Sequence, residues 1–248
     1  PAFDLLHEPD TLCLLTSRGC PFSCTYCASS RLHETFRRRA PHKVVDEIGY
    51  WIDRYQVKEF VFYDDALLYT PEESIVPLLR GIISHNYDCN FHTPNGLHVG
   101  GITEEIAELL FETRFKTIRL GFETANAERQ MNTGNKTTNR DFEQAVKKLR
   151  RAGYQSEDIG VYLLAGLPGQ QADEIRQSIQ FVNDCGARPF LAEYSPIPGT
   201  QLWKAAMEKS KLDLLNEPLY HNNSILPCRL DGISWEELYQ LKNETRQK

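Results

Sequence analysis

The sequence predicts an α/β fold: a partial (β/α)6 TIM-like barrel with a short C-terminal helical extension. Three observations predict it. Strand-like and helix-like segments alternate along the chain, as a parallel sheet with right-handed crossovers requires. Their period of about 35 residues suits β/α units and no solenoid repeat. A closed barrel uses eight such units in about 250 residues, and the 248 residues here hold six and a tail.

Residues 11–16 (TLCLLT) read as a buried strand running into a cysteine-rich loop. Val44, Val45, Ile48, Ile52 and Tyr55 then recur at helical spacing, with Trp51 beside them. Residues 59–63 (EFVFY) form the second strand. Thr70-Pro71-Glu72-Glu73 reads as a capping box with proline at the first helical position, opening a helix over 75–83. Residues 89–92 are a short third strand, and 103–111 a helix with acidic residues in its first turn. The fourth strand is 117–122. The next helix, 138–151, puts Phe142, Ala145, Val146 and Leu149 on one face and stops at Gly153. Residues 159–165 are the fifth strand, 175–182 the fifth helix and 190–194 the sixth strand. Ser234-Trp235-Glu236-Glu237 caps a last helix. With no linker or low-complexity tract, a core over 1–205 with 206–248 packed on it is expected. In such barrels the chemistry sits on the loops that follow the strands.

Composition narrows the function. Hydrophobic residues make up 41% and charged residues 25%, ordinary for a globular protein with a sizeable core. No apolar run approaches the roughly 20 residues that cross a bilayer, and no secretory leader opens the chain. A net charge of −6 argues against a partner bound mainly through phosphates, so nucleic acid is not expected. The run Arg37-Arg38-Arg39 reads as a solvated loop. There are seven cysteines, and Cys20, Cys24 and Cys27 cluster on one loop. Clustered thiols without a secretory leader point to metal or redox chemistry in a reducing compartment, by default the cytoplasm.

The loop reads Cys20-Pro21-Phe22-Ser23-Cys24-Thr25-Tyr26-Cys27, a C-x3-C-x2-C spacing. Three thiolates on one loop can hold three corners of an iron–sulfur cube. With no fourth thiolate nearby, one iron would stay open. The alternative is a structural zinc site in a noncatalytic binding domain, which needs a fourth ligand such as His33.

C-x3-C-x2-C with an aromatic residue before the last cysteine, together with RGCPFSCTYCASS, KVVDEI, FYDDALL, LGFET, AGLPGQ and SPIPGT, resembles the radical S-adenosylmethionine (SAM) superfamily. The likeness runs over about residues 11–202 and points to the subgroup often fused to a cobalamin-binding domain. It implies a [4Fe–4S] cluster on Cys20, Cys24 and Cys27, with SAM chelating the open iron. Reductive cleavage then gives a 5′-deoxyadenosyl radical that takes hydrogen from a small-molecule or peptide substrate. An electron donor such as flavodoxin or ferredoxin is implied too. Cobalamin-dependent methyl transfer, rearrangement and RNA modification are alternatives within the family.

The resemblance also implies site residues. Tyr26 stands beside the cluster. Asp64 and Asp65, or their backbone carbonyls, meet the methionine ammonium, with at most one of the two side chains serving because neighbours on a strand point to opposite faces. Glu123 takes the ribose hydroxyls, and Leu164, Gly166 and Leu167 lie against adenine. Glu193, Tyr194 and Ser195 end the sixth strand, where they could touch adenine or substrate. His92, Asn95 and His98 should face the barrel mouth and could orient a polar substrate or move protons. Of the scattered cysteines, Cys228 is the candidate hydrogen donor or late ligand, near His221. About ten residues precede the first strand, too few for a second core. The chain is therefore expected to purify without stoichiometric cobalamin, and micromolar or tighter binding in an absorbance titration would contradict this.

Overall fold

The computed structural model describes residues 2–7 and 9–246. The chain enters through β1 (Thr11–Leu14) and β2 (Ser17–Arg18). α1 (Ser29–Leu32), β3 (Arg37–Arg38), α2 (Pro41–Tyr55), β4 (Glu59–Phe62) and α3 (Ile75–His85) follow. The middle holds β5 (Asn90–His92), β6 (Leu97–His98), α4 (Glu104–Glu112), β7 (Phe115–Glu123) and α5 (Ala127–Asn132). Then come α6 (Asn139–Ala152), β8 (Ile159–Ala165), α7 (Ala172–Asp184), β9 (Arg188–Glu193), α8 (Trp203–Glu208) and α9 (Trp235–Glu244).

The main sheet runs β1-β4-β5-β7-β8-β9, with β6 beside β7, and every pairing in it is parallel. β1 and β9 are its two edges, so the barrel is open, as six units predict. Burial alternates along the strands. Leu12, Leu14, Phe60, Phe62, Ile118, Leu120, Ile159, Val161 and Leu163 are buried in one core. The helices supply its other half, with Ile48, Leu79, Leu110, Phe142, Val146, Ile179 and Val182. Cys13 and Leu15, between those buried positions, are exposed, so the first strand is buried on one face only. That alternation marks a sheet covered by helices on one side and open on the other.

Three expectations fail for local reasons. Thr70 makes no cap: its backbone is left-handed, with φ 43°, and Pro71–Glu73 form a single 3-10 turn before α3. Arg37–Arg39 are not a free loop. β3 pairs antiparallel with β2, Arg38 pairs with Glu73 at 2.9 Å, and Arg39 pairs with Glu47 at 2.6 Å. The division at 205/206 falls inside α8, and Leu226, Ile233, Leu238 and Leu241 belong to the main core, while α9 packs on α7. The short elements α1, α5 and β6 carry too few residues for a period to show.

At α6 the Thr138 hydroxyl accepts from Asp141 N–H, while the Asp141 carboxylate accepts from Thr138 N–H, a reciprocal cap. Thr138→Ala should cost about 1 kcal/mol in urea unfolding. The Thr138 hydrogen bonds hold the Asp141 carboxyl below its ordinary value of 3.8. Its share of stability is therefore complete above about pH 4 and fades as pH falls through the lower folded-state value. A cap contribution that grew on acidification would contradict this.

Candidate functional site

The cysteine loop follows β2, and one carboxylate fixes the junction of β1 and β2 from which it departs. Asp64, past the end of β4, is 4% exposed. It accepts from Thr16 N–H at 3.1 and 3.0 Å, from the Thr16 hydroxyl at 2.7 Å, and from Ser17 N–H at 2.6 Å, and the Ser17 hydroxyl donates to it as well. The expectation that Asp64 could serve the SAM ammonium is corrected here, because its oxygens face the loop base and are already engaged. Asp65, next along the chain, is exposed and close enough to Cys20 to push its thiol up. Farther along the loop, Thr25 N–H donates to Thr133 O at 3.3 Å, and Leu202 N–H donates to Thr25 O at 3.0 Å.

The three thiols are half-buried. Burial pushes Cys20 up, and Cys24 and Cys27 add to the rise. Burial also pushes Cys24 up, while Lys136 pulls the other way. Ser29 N–H donates to Cys27 Sγ at 3.4 Å. Three soft donors on one loop, close enough to feel one another's charge, suit an iron–sulfur cube. Among the described residues no three His, Cys, Asp or Glu gather around a point that could hold a metal ion. One zinc ion would need thiolates roughly 3.8 Å apart, from its 2.3 Å bonds and tetrahedral angles. His33 is not drawn into such a set.

Beside Cys24 lies a three-residue cluster that the motifs only half revealed. β7 breaks register against β8 between Gly121 and Glu123, and Glu123 takes a left-handed φ of 69°. A non-glycine residue pays for that conformation; here it accompanies a carboxylate aimed at its neighbours. The Tyr26 hydroxyl donates to Glu123 Oε1 at 2.7 Å, and Lys136 Nζ pairs with the same oxygen at 2.6 Å. Burial and then the Glu123 charge hold the Tyr26 hydroxyl protonated well above the usual phenol range. Burial disfavours the Lys136 charge, yet Glu123 more than offsets it, so Lys136 titrates above its ordinary value. Sequence reasoning missed Lys136, which belongs to none of the motifs. It sits on the connection from α5 to α6, and only the fold brings it to Cys24.

The loop after β8 is held from below. Gln170, fully buried, accepts from Gly166 N–H at 2.9 Å and Leu167 N–H at 3.2 Å, and donates to Leu164 O at 3.0 Å. Gly166 has φ +86°, and a Cβ there would stand 2.6 Å from Leu226 Cδ1. Leu164 stays half-exposed at the mouth, whereas Leu167 is 1% exposed, and this corrects Leu167 as an apolar contact for adenine. Tyr194 is corrected likewise: it is 3% exposed and shares a small second core with Leu167, Ala206, Leu214 and Cys228. Cys228, pushed up to about 12 by burial, is sealed in that core and cannot act as a hydrogen donor at the mouth. Glu193 pairs with Lys242, and the Ser195 hydroxyl donates to His221 O. The His221 ring bonds to Leu214 O at 2.7 Å.

The loop after β5 is structural at its tip. Asn95 donates to Tyr63 O at 2.9 Å. His98 stacks on Phe22 with 4.3 Å between ring centres, bonds to Lys136 O at 3.0 Å, and is pushed down by burial. His92 lies on the open face, bonded to Glu59 at 2.7 Å and to the Thr117 hydroxyl at 2.8 Å. Beside the base of the cysteine loop, a cavity of about 670 Å³ is lined by Cys13, Leu15, Arg18, Arg37 and Tyr63, among others.

An open parallel half-barrel with three thiols gathered on the loop after β2 defines an α/β protein with a thiol-lined site at its mouth. A family model of the radical SAM superfamily matches residues 14–182, and the chain belongs to that superfamily. Its members are enzymes that work with a [4Fe–4S] cluster and SAM. The chain is 27% identical over 226 residues to an uncharacterized methyltransferase of Pyrococcus horikoshii, covering 87% of this chain and 48% of that protein. It is 25% identical over 207 residues to the cytidylyl-2-hydroxyethylphosphonate methyltransferase of Streptomyces wedmorensis, covering 81% and 38%. Among solved structures it matches TsrM, a radical SAM methyltransferase of Kitasatospora setae, with TM-score 0.69 and 18% identity over 80% of this chain and 39% of that one. That last likeness shows the fold. The chain thus spans about half or less of the length of these relatives.

Because Asp64 alone satisfies four donors at the loop base, Asp64→Ala should cost more than about 3 kcal/mol and abolish cluster retention, while Asp65→Ala leaves stability nearly unchanged. Thermal unfolding and iron content of the two variants check this.

Proposed function

We propose that the chain is the catalytic core of a radical SAM enzyme in which Cys20, Cys24 and Cys27 hold the cluster. The substrate is a small molecule or peptide lying on the open face of the half-barrel. The observation that carries the proposal is the meeting of those thiols with the Tyr26–Glu123–Lys136 cluster at one mouth. With SAM bound, the reduced cluster would supply radical chemistry for hydrogen abstraction. The chain's own residues bind, orient and shield.

In this reading Glu123 exchanges part of its bonding to Tyr26 and Lys136 for the ribose hydroxyls of SAM. Lys136 remains beside Cys24 as a fixed positive charge, which favours the thiolate that iron requires. Asp65, exposed just past β4, takes the methionine ammonium in this reading, in preference to Asp64. Leu164 and the turn at Gly166 offer the adenine an apolar edge, with Gln170 keeping that turn in shape. The residues on the loop after β5 serve differently: His98 braces Phe22, and Asn95 braces the end of β4.

The names of the relatives favour methyl transfer as the overall reaction. A one-electron donor such as flavodoxin or ferredoxin would reduce the cluster, and the seven free thiols suit a cytoplasmic setting. Among the described residues no helix is long and apolar enough to cross a membrane.

Anaerobic reconstitution should give about four irons per chain, lost in Cys24→Ala because three ligands leave no redundancy. An iron-free zinc protein would overturn the proposal. With dithionite the reconstituted chain should release 5′-deoxyadenosine from SAM. Glu123→Ala should weaken SAM binding by about 1.5–3 kcal/mol, and an unchanged affinity would remove Glu123 from the site.

A further inference from the structure

The geometry points to a second binding site on the open face: Arg119 on β7 and Arg188 on β9 together hold an anionic group of the substrate, a phosphate, phosphonate or carboxylate. The word substrate rests on the function proposed above; the anion site itself does not. Arg119 stands in register with Gly160, and Gly160 with Arg188. The two arginines therefore occupy one level of the sheet, with their backbones roughly 10 Å apart at two strand spacings. Their flanking residues Ile118, Leu120, Ala187 and Pro189 are buried, so the arginines project from the opposite, uncovered face. Both guanidinium groups lie against one ring: their central carbons are 4.7 and 5.2 Å from the Phe190 centroid. Gly160 keeps the space open, since a Cβ there would stand 2.7 Å from Arg119 Cδ and Nη1.

Among the described residues neither arginine forms an ion pair. Arg119 Nη1 donates to Ile118 O at 3.1 Å, which leaves most of the five donors on each fork unused. Glu59 accepts from Asn90 and pairs with His92, and Glu193 pairs with Lys242. Arg188 and Phe190 also line a cavity of about 230 Å³ at the edge of β9, whose other walls include Lys242, Thr245 and Arg246. The walls of that cavity include three basic residues and no acidic one. Half-buried guanidinium groups without a counter-charge carry a desolvation cost that an anion offsets, and their planar forks match carboxylate and phosphate oxygens.

Position sets the shape of the ligand. Arg119 precedes Glu123 by four residues on β7, about 13 Å of strand. A molecule anchored at the arginines and reacting near the cysteine loop is therefore elongated, with its anion at the end remote from the reacting carbon.

The test titrates 4-fluorophenyl phosphate and 4-fluorobenzoate into reconstituted protein and follows fluorine line broadening. Saturable broadening by at least one probe is expected. R119Q and R188Q should each weaken it by about ten-fold or more, the scale of one lost charged hydrogen bond. R54Q, which removes an exposed arginine stacked on Tyr55 at 5.3 Å, should match the wild type. Gly160→Ala keeps both charges but crowds Arg119, so it should weaken binding too, and circular dichroism verifies folding of every variant. Tighter binding of the phosphate ester identifies a phosphoryl or phosphonyl group, and tighter binding of the benzoate a carboxylate. Non-saturable broadening, or equal titrations in R119Q, R188Q and wild type, overturns the inference. Iron content and 5′-deoxyadenosine release are read on the same wild-type sample. Their failure with anion binding intact overturns the radical reading alone.

Discussion

The Asp64 carboxylate is the contact on which the mouth of this half-barrel depends. Hydrogen bonds link it to both amides and both hydroxyls of Thr16 and Ser17, so the ends of two adjacent strands move as one. A buried carboxylate with its oxygens engaged is worth far more than an exposed ion pair, because each lost partner would leave a charge unsolvated. Everything after Ser17 inherits its direction: β2 turns to meet β3, and the cysteine loop lies across the end of the sheet, where Thr133 and Leu202 catch it. The loop has almost no regular structure of its own and is positioned by these anchors.

The second constraint is electrostatic. Glu123, Lys136 and Tyr26 form one coupled group beside Cys24, with the two charged side chains 12% and 18% exposed. In a region this dry a carboxylate is tolerable only when paired, and Lys136 provides the pair. A ligand that uses Glu123 therefore competes with Lys136 and Tyr26 for its oxygens. Binding there is an exchange of partners, which sharpens selectivity for ligands that bring two donors at once. The left-handed φ of Glu123 belongs to the same picture, since a register break at a strand end re-aims a side chain that regular pleating would direct elsewhere.

Much of this was legible in the sequence. The strands at 59–63, 117–122 and 159–165 were visible as short runs rich in apolar residues, and the order of β/α units followed from their spacing. The cysteine loop was legible because thiols at that spacing have few structural uses. The roles of Asp64 and Tyr194 were not. Each sits at a strand end where one residue of register decides whether a side chain faces the mouth or the interior, and no local pattern carries that choice. Lys136 was invisible for another reason: a lone lysine gains its meaning from Cys24, 112 residues away, which only the fold brings near. Gln170, by contrast, closes the AGLPGQ motif and bonds to partners 3–6 residues away whose geometry no sequence pattern carries. The Arg37–Arg39 run misled because charge density resembles solvation, while the chain used two of those arginines to pair with Glu47 and Glu73.

The two faces of the sheet divide the labour. One face is closed by helices and sets stability through a continuous apolar core, so its residues vary mainly in size. The open face carries the polar inventory: Glu59, His92, Thr117, Arg119 and Arg188, each half-buried. Polar groups on a sheet face are retained only where something offsets their desolvation. For Glu59, His92 and Thr117 the offset is internal, a hydrogen-bonded chain across three strands. Among the described residues Arg119 and Arg188 have the ring of Phe190 and, for Arg119, one bond to Ile118 O, and an aromatic contact offsets about 0.5–2 kcal/mol of a cation's solvation. The remainder falls to whatever occupies the open face, and this imbalance within one row of side chains separates the part of the face that completes itself from the part that awaits a ligand.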